Sequence, residues 1–301
     1  MTALLVVNAD DLGVSRGATL AIVRAHREGI VTSASLAVTS PFYGHALDAC
    51  VQACPDLGVG LHFTLSAGKP VSSRRQIPLL VDENGFFRWR FSSLLRAVAV
   101  QKRADLLEQV EIELEAQLLR MIGVGVRPDH IDSERHVHLI PGIFEKVLSA
   151  ARRHEVRFLR LGRDIGARCL SLTHTSGLLL SGGFVKLWLL SSLSKRNRAR
   201  IGGGTLSAEY FASYLYSGRL DLLLPRILKR PPLAGVTEVM VHPGIPEESR
   251  GVELGNRELE RYVASVDRRR ELEACIEARG WTRLWTLTNF TRLAFALPPP
   301  W

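Results

Sequence analysis

A chain of 301 residues with 46% hydrophobic and 23% charged side chains is long enough for one large α/β unit and too apolar to remain disordered. Its 39 basic and 30 acidic residues leave a formal charge of +9, yet no arginine-rich arm or basic–aromatic alternation marks a nucleic-acid module. The four cysteines, Cys50, Cys54, Cys169 and Cys275, form no CxxC pair, and a chain of this length needs no disulfide staples, so reduced cytosolic thiols are expected.

Taken in chain order, the apolar run over residues 3–9 is too short and lacks the basic flank of a signal peptide, and it breaks into Asp10 and Asp11; it reads as a strand buried on both faces. A helix is expected over 15–28 with Gly29 as its stop, then a strand over 33–38. A helix over 43–54 closes at Pro55, and a strand follows over 58–63. Residues 64–90 form a long loop with Gly68, Pro70, Pro78 and Asn84-Gly85, a length typical of lids and binding loops. Leu107, Val110, Leu114, Leu118 and Met121 form the stripe of a helix over 104–122. A strand over 128–132, a polar turn, a helix over 141–154 and a strand over 156–161 come next.

The rhythm is lost over 162–204, which reads as an insertion with a helical segment. Helical pattern returns over 207–217, followed by a strand over 238–242, a charged helix over 256–279 and a last strand over 283–287. The longest apolar tract, 178–193, contains Gly182, Gly183 and Lys186 and falls short of the roughly 20 apolar residues of a membrane span. A soluble or peripheral protein is expected, with Pro298-Pro299-Pro300-Trp301 as a frayed end. Repeated βα units predict a single domain over 1–301: an α/β, distorted or incomplete (β/α) TIM-like barrel with an inserted helical segment. Eight clean units cannot be counted, and a doubly wound sheet is the alternative.

The chemistry-bearing residues recur at strand ends. Asp10 and Asp11 follow the first strand, His62 closes the third, and Asp132, Glu134, His136 and His138 follow the fourth; Arg160 and His242 end later strands. In parallel α/β folds these ends share one face, where active sites are built. Singly, each has a plainer reading: Asp10 and Asp11 can cap a helix, His62 can be a satisfied core histidine, and the run from His130 to His138 can be a polar turn. Together they suit a divalent ion. Imidazole nitrogen and carboxylate oxygen bind such ions, and three protein ligands leave positions for water and a substrate carbonyl. A further carboxylate can take the water's proton, and a histidine can protonate a leaving amine. Ser133 lies in no GxSxG turn and no thiol accompanies a paired histidine, which argues against covalent catalysis.

Four stretches carry a resemblance: Val7-Asn8-Ala9-Asp10-Asp11-Leu12-Gly13, Gly60-Leu61-His62-Phe63-Thr64-Leu65, His136-Val137-His138-Leu139-Ile140-Pro141 and Val241-His242-Pro243-Gly244. In this order and at these separations the chain resembles the YdjC/ChbG family of carbohydrate deacetylases. The resemblance implies a distorted TIM-like barrel, one divalent metal ion (Mg²⁺ or Zn²⁺) and removal of acetyl from N-acetylated sugars. It implies Asp11 and His62 as metal ligands, Asp10 as catalytic base, and His242 as catalytic acid or transition-state stabiliser. Arg160, with Asp132 and His138, is expected at the substrate.

The family usually reads Asp-Ser/Gly-His at the third ligand, where this chain has Asp132-Ser133-Glu134. Glu134 is therefore the expected third ligand, with His136 the alternative and a decayed site the remaining option. This triplet and the middle insertion resemble the hopanoid-biosynthesis branch, which implies an N-acetylglucosaminyl lipid as substrate. Phe184, Leu187, Trp188, Leu189, Leu190 and Leu193, followed by the basic run from Lys195 to Arg200, suit a helix lying on an anionic membrane, the alternative being a buried helix with a charged exit. The expected partners are thus an N-acetylated glycolipid or oligosaccharide and no nucleic acid. The location is cytoplasmic, with peripheral contact at the inner face of the membrane and a homodimer left open. A chito-oligosaccharide deacetylase, a metal-dependent phosphoester hydrolase and a non-catalytic sugar- or lipid-binding protein are the competing functions.

Overall fold

The structure, a computed structural model, describes residues 3–101, 103–166, 183–202, 204–212, 214 and 219–296. Among these residues nine strands carry the fold: β1 (Ala3–Leu12), β2 (Ser33–Leu36), β3 (Gly58–Phe63), β4 (His130–Ser133), β5 (Phe158–Leu159), β6 (Arg163–Asp164), β7 (Tyr210–Ala212), β8 (Gly235–Val241) and β9 (Thr286–Leu287). Every pairing is parallel, in the order β5-β4-β3-β2-β1-β8-β7-β6, with β9 beside β1. The two ends of this path are neighbours in the chain, because only residues 160–162 separate β5 from β6. The Arg160 N–H donates to Ile131 O of β4 at 3.3 Å, and the Arg163 N–H donates to Glu209 O beside β7 at 3.1 Å. One short segment thus pairs with β4 by its first half and β7 by its second, and the path returns on itself. The result is a distorted (β/α) barrel one position short of the regular eight. Spatial order follows chain order without the reversal of a doubly wound sheet, which excludes that alternative.

Period-two alternation decides what enters the barrel. Leu5, Val7 and Ala9 of β1 point outward into the main core, where they meet Ile22 and Ala25 of the covering helix Arg16–Arg27. Full burial of such aliphatic side chains contributes about 1.5–3 kcal/mol each. The even-numbered positions face inward. At the N-terminal end Val6, Phe158, Phe290 and Leu293 form an apolar plug, the last two supplied by the helix Phe290–Ala296. Above the plug the interior turns polar: Asn8, Ser35, His130, Asp132 and Glu238 are all buried. Gly60 is required in this layer, since a Cβ there would lie 2.3 Å from the His130 ring.

Several boundaries differ from the sequence expectation. Among the described residues of the helix expected over 207–217, Tyr210–Ala212 is instead strand β7, paired with β8, and the next described helix is Leu220–Leu228. Pairing with a central strand and burial of Phe211 and Ala212 override the local helical pattern. The charged segment divides at Ala264-Ser265 into helices Arg257–Val263 and Val266–Glu277. A further helix, Phe91–Leu95, precedes helix Ala104–Gly123.

The long loop is tied down. Buried Glu113 accepts from the Val71 and Ser72 N–H groups at 2.9 Å each, and Gln117 accepts from Thr64 N–H at 3.1 Å. Over 162–204, expected as an insertion, Arg163–Asp164 is instead strand β6 of the sheet, and helix Gly183–Arg198 leaves Val185 (69%) and Trp188 (70%) exposed while Leu190 and Leu193 are buried in the main core. Residues 167–182, with Cys169, and the 298–301 tail lie outside the described residues. Among the described residues no helix is long and apolar enough to cross a membrane.

Candidate active site

The C-terminal ends of β1, β3, β4 and β8 bring Asp10, Asp11, His62, Glu134 and His242 to one cavity of about 640 Å³, also lined by His136, Lys186, Leu190 and Tyr262. Another groove, of about 730 Å³, lies open along helix Ala104–Gly123 between Ile112, Leu119 and acidic residues, away from all of these side chains.

Register places the central pair. His62 of β3 stands beside Asp132 of β4, and its Nδ1 lies 2.7 Å from Asp132 Oδ1. Its other nitrogen, Nε2, lies 3.5 Å from Asp11 Oδ1 on the cavity side. Burial alone would push the imidazole down, but Asp132, with Asp10 and Asp11, outweighs it and holds His62 up at about 9. The site therefore stabilises positive charge at this imidazole.

Arg160 lies beneath the cavity. Its Nη1 and Nη2 donate to the two oxygens of Asp10 at 2.7 Å each, Nε donates to Glu238 Oε1 at 2.6 Å, and Nη2 also lies 2.6 Å from Asp132 Oδ2. A buried guanidinium this fully engaged is a clamp on carboxylates. Asn8 Nδ2 adds a donor to Asp10 at 2.9 Å, and the Ser35 hydroxyl donates to Asp132 at 2.6 Å. Arg160, Asp132 and His138, expected at the substrate, are thus absent from the cavity lining and form the layer under it.

The segment after β4 bends sharply. Asp11 (φ 69°), Arg135 (φ 52°) and His136 (φ 59°) adopt the left-handed region, joined among described non-glycine residues only by Glu155. Such conformations cost of order 1–3 kcal/mol and concentrate at functional sites. The bend turns Glu134 inward: its Oε1 accepts from Arg135 Nε at 3.0 Å, while Oε2 is buried without a partner. Burial outweighs Arg135 and His62 and pushes this carboxyl up. His136 packs edge-on against Tyr214 at 4.9 Å, and burial, with Lys186 and Arg160, pushes it well down. Burial brings His138 down to about 4, so it stays neutral; Nε2–H donates to Arg160 O at 2.9 Å and Nδ1 accepts from the Ser133 hydroxyl at 2.5 Å. Its role is to brace the strand ends.

His242, just beyond β8, sets Nε2 4.0 Å from Asp10 Oδ2. Glu271 of helix Val266–Glu277 accepts from the His242 N–H at 2.6 Å and from the Leu220 N–H at 2.9 Å, and Arg268 Nη1 donates to His242 O at 2.8 Å. Burial raises the Glu271 carboxyl, but Arg268, His242 and these donors win and lower it to about 2. Because the folded value lies below the unfolded one, this stability is present above about pH 4.5 and is lost as pH falls toward 2. A shift of this size corresponds to about 3 kcal/mol. Urea unfolding between pH 6 and 2 should show the loss, and Glu271→Gln should flatten that part of the profile; an unchanged acid limb would remove Glu271 as its source.

Sequence reading missed Glu238, Glu271, Arg268 and Tyr262. The first had a signal, a carboxylate at an inward position of an otherwise apolar strand; the other three lie on helices whose docking is not encoded locally.

Among the described residues, Asp10, His62 and Asp132 also offer donor atoms within 4.8 Å of one another, a geometry that could hold a metal. Asp10 and Asp132, however, already receive Arg160 and His62 Nδ1.

A parallel barrel with acidic and imidazole groups gathered at its C-terminal strand ends belongs to the class of (β/α)-barrel enzymes. Within that class the chain belongs to the YdjC-like protein family, whose model matches residues 4–279. A carbohydrate deacetylase of Brevibacillus brevis is 35% identical over 246 residues, 81% of this chain and 83% of that protein. A chitooligosaccharide deacetylase of Proteus mirabilis is 39% identical over 185 residues, 61% of this chain and 68% of the relative. A solved structure from Enterococcus faecalis V583, provisionally named a cellobiose-phosphate cleavage protein, superposes with a TM-score of 0.65 over 97% of this chain and 99% of its own, at 24% identity, a likeness of fold.

Proposed function

We propose that this protein is a carbohydrate deacetylase that hydrolyses the acetamide of an N-acetylhexosamine with one divalent ion, and that the sugar is carried on a lipid. The observation that carries this reading is the convergence of Asp10, Asp11, His62, Glu134 and His242 on one cavity, together with relatives named as carbohydrate and chitooligosaccharide deacetylases.

The residues present fit a metal. Asp11, His62 Nε2 and Glu134 Oε2 would hold it: Glu134 Oε2 is buried and partnerless, and Asp11 Oδ1 and His62 Nε2 are 3.5 Å apart. Asp132 on His62 Nδ1 orients the ring so that Nε2 is the ligand nitrogen, the usual support for a metal-bound histidine. His136, the alternative third ligand, also lines the cavity and has a partnerless Nδ1, but Glu134 alone of the two lines, with Asp11 and His62, the small adjoining pocket as well, which favours Glu134. Two carboxylates and one imidazole suit Mg²⁺ or Zn²⁺. When bound, the ion would polarise the acetamide carbonyl and acidify a water.

The chain's own groups do the rest. Asp10, held flat by the Arg160 fork, accepts the proton of the attacking water as its oxygen bonds to the carbonyl carbon. His242 delivers a proton to the nitrogen as the C–N bond breaks, giving acetate and a free amine. Its backbone is fixed for this task by Glu271 and Arg268.

A lipid carrier is supported by the apolar side chains Phe91, Val185, Leu189 and Leu190 in the lining of the same cavity. Exposed Val185 and Trp188, with exposed Lys195 and Arg196 farther along the same helix, support peripheral contact with an anionic membrane from the cytoplasmic side. A soluble chito-oligosaccharide is the second reading, favoured by the name of the Proteus mirabilis relative.

Acetate release should be measured from an N-acetylglucosaminyl lipid in anionic vesicles and from soluble chitobiose, with and without chelator. Faster release from the lipid, abolished by chelator and restored by added ion, is expected. Turnover of chitobiose alone would move the substrate to oligosaccharides. No acetate from either substrate with the metal-replete protein would end the deacetylase reading.

A further inference from the structure

We propose that the Tyr262 hydroxyl is a catalytic hydrogen-bond donor to the oxygen of the scissile acetamide, an inference that rests on the deacetylase reading above. Tyr262 belongs to the helix Arg257–Val263, outside every strand end that carries the other site residues, and lines the same cavity as Asp10, Asp11, His62 and His242. Its hydroxyl is buried and has no hydrogen-bond partner among the described residues. Of the seven buried hydroxyls without a partner among the described residues, only that of Tyr262 belongs to a residue lining this cavity, which leaves its donor for an occupant.

The ring is held rigidly enough to aim that donor. The Arg268 guanidinium sits over its face at 4.0 Å from the centroid, and the His242 ring meets it edge-on at 5.7 Å and 85°. Arg268 also binds the His242 carbonyl oxygen at 2.8 Å, so one cation fixes both aromatic groups in relation to each other. Burial outweighs the Arg268 cation and pushes the phenol well up, so the hydroxyl keeps its proton throughout the working pH range.

Adjacency to His242 identifies the substrate atom. The oxygen and nitrogen of an amide share one carbon, so the group that meets the oxygen must neighbour the group that protonates the nitrogen. As water adds to that carbon, the carbonyl π pair moves onto the oxygen, and a preoriented O–H then interacts more strongly than in the ground state. The proton stays on Tyr262; when the C–N bond breaks, the pair returns to the carbonyl and the tyrosine is unchanged.

The test is Tyr262→Phe, which keeps the ring and removes only the partnerless oxygen. The variant should melt at the wild-type temperature and bind the wild-type amount of metal, while kcat for acetate release falls roughly 100-fold at unchanged KM. A phosphonamidate analogue of the N-acetylhexosamine, which mimics the tetrahedral adduct, should bind more weakly by the same factor, while the N-acetyl sugar itself binds equally well. A kcat within twofold of wild type would overturn the proposal. So would a loss confined to KM, which would make the hydroxyl a contact to the sugar. A wild-type protein that releases no acetate would overturn the parent reading instead, so the two failures are distinguishable.

Discussion

Asp10→Asn is expected to retain its metal and to lose roughly 100- to 10,000-fold in kcat. An amide cannot accept the water's proton, whereas the proposed ligand set Asp11, His62 and Glu134 is left intact. Asp11→Asn and His62→Ala should behave differently, losing metal and acetate release together. Metal content by elemental analysis, measured beside kcat for each variant, separates the roles. If Asp10→Asn lost its metal and Asp11→Asn kept it, the cluster of Asp10, His62 and Asp132 would be the ligand set, and the two aspartates would exchange roles.

Arg160→Met is expected to be the most destabilising single change at the site. It leaves Asp10, Asp132 and Glu238 buried around a side chain without charge. Removing one partner from a buried ionic cluster costs about 3–5 kcal/mol, because the remaining charges stay desolvated without compensation. At about 2–4 °C per kcal/mol for chains somewhat shorter than this one, the melting temperature should fall by roughly 10 °C. Arg160→Lys restores the charge but not the fork, and should recover part of the loss. Adding Glu238→Gln to Arg160→Met should also recover part, since one carboxylate fewer is stranded. A methionine variant that melts within a degree or two of wild type would mean that the three carboxylates take up protons at little cost, and the clamp would have no energetic role.

These expectations depend on features that were unequally legible. The continuous apolar run of β1 and the acidic pair behind it mark a buried parallel strand and the functional end of a barrel, because both signals are local. His62 and His242 were legible for the same reason: each closes an apolar strand. The depth of a side chain within the barrel was not. Asp132 lies within β4, and Arg160 and His138 follow strands just as Glu134 does, yet all three form the layer beneath the cavity, while left-handed turns at Arg135 and His136 accompany the inward turn of Glu134. Nor was β7 legible, since a strand of three residues is specified by pairing with β8 more than by its own pattern.

The sequence by itself determined most of the succession of βα units and the inventory of carboxylates and imidazoles at strand ends, because apolar runs and strand-end chemistry are written within a few residues. Only the tertiary structure decided which charges neutralise one another and which face the cavity. Arg160 meets Asp10 across 150 residues of chain, and that meeting exists because the short segment from β5 to β6 closes the ring of strands and carries the guanidinium into its interior.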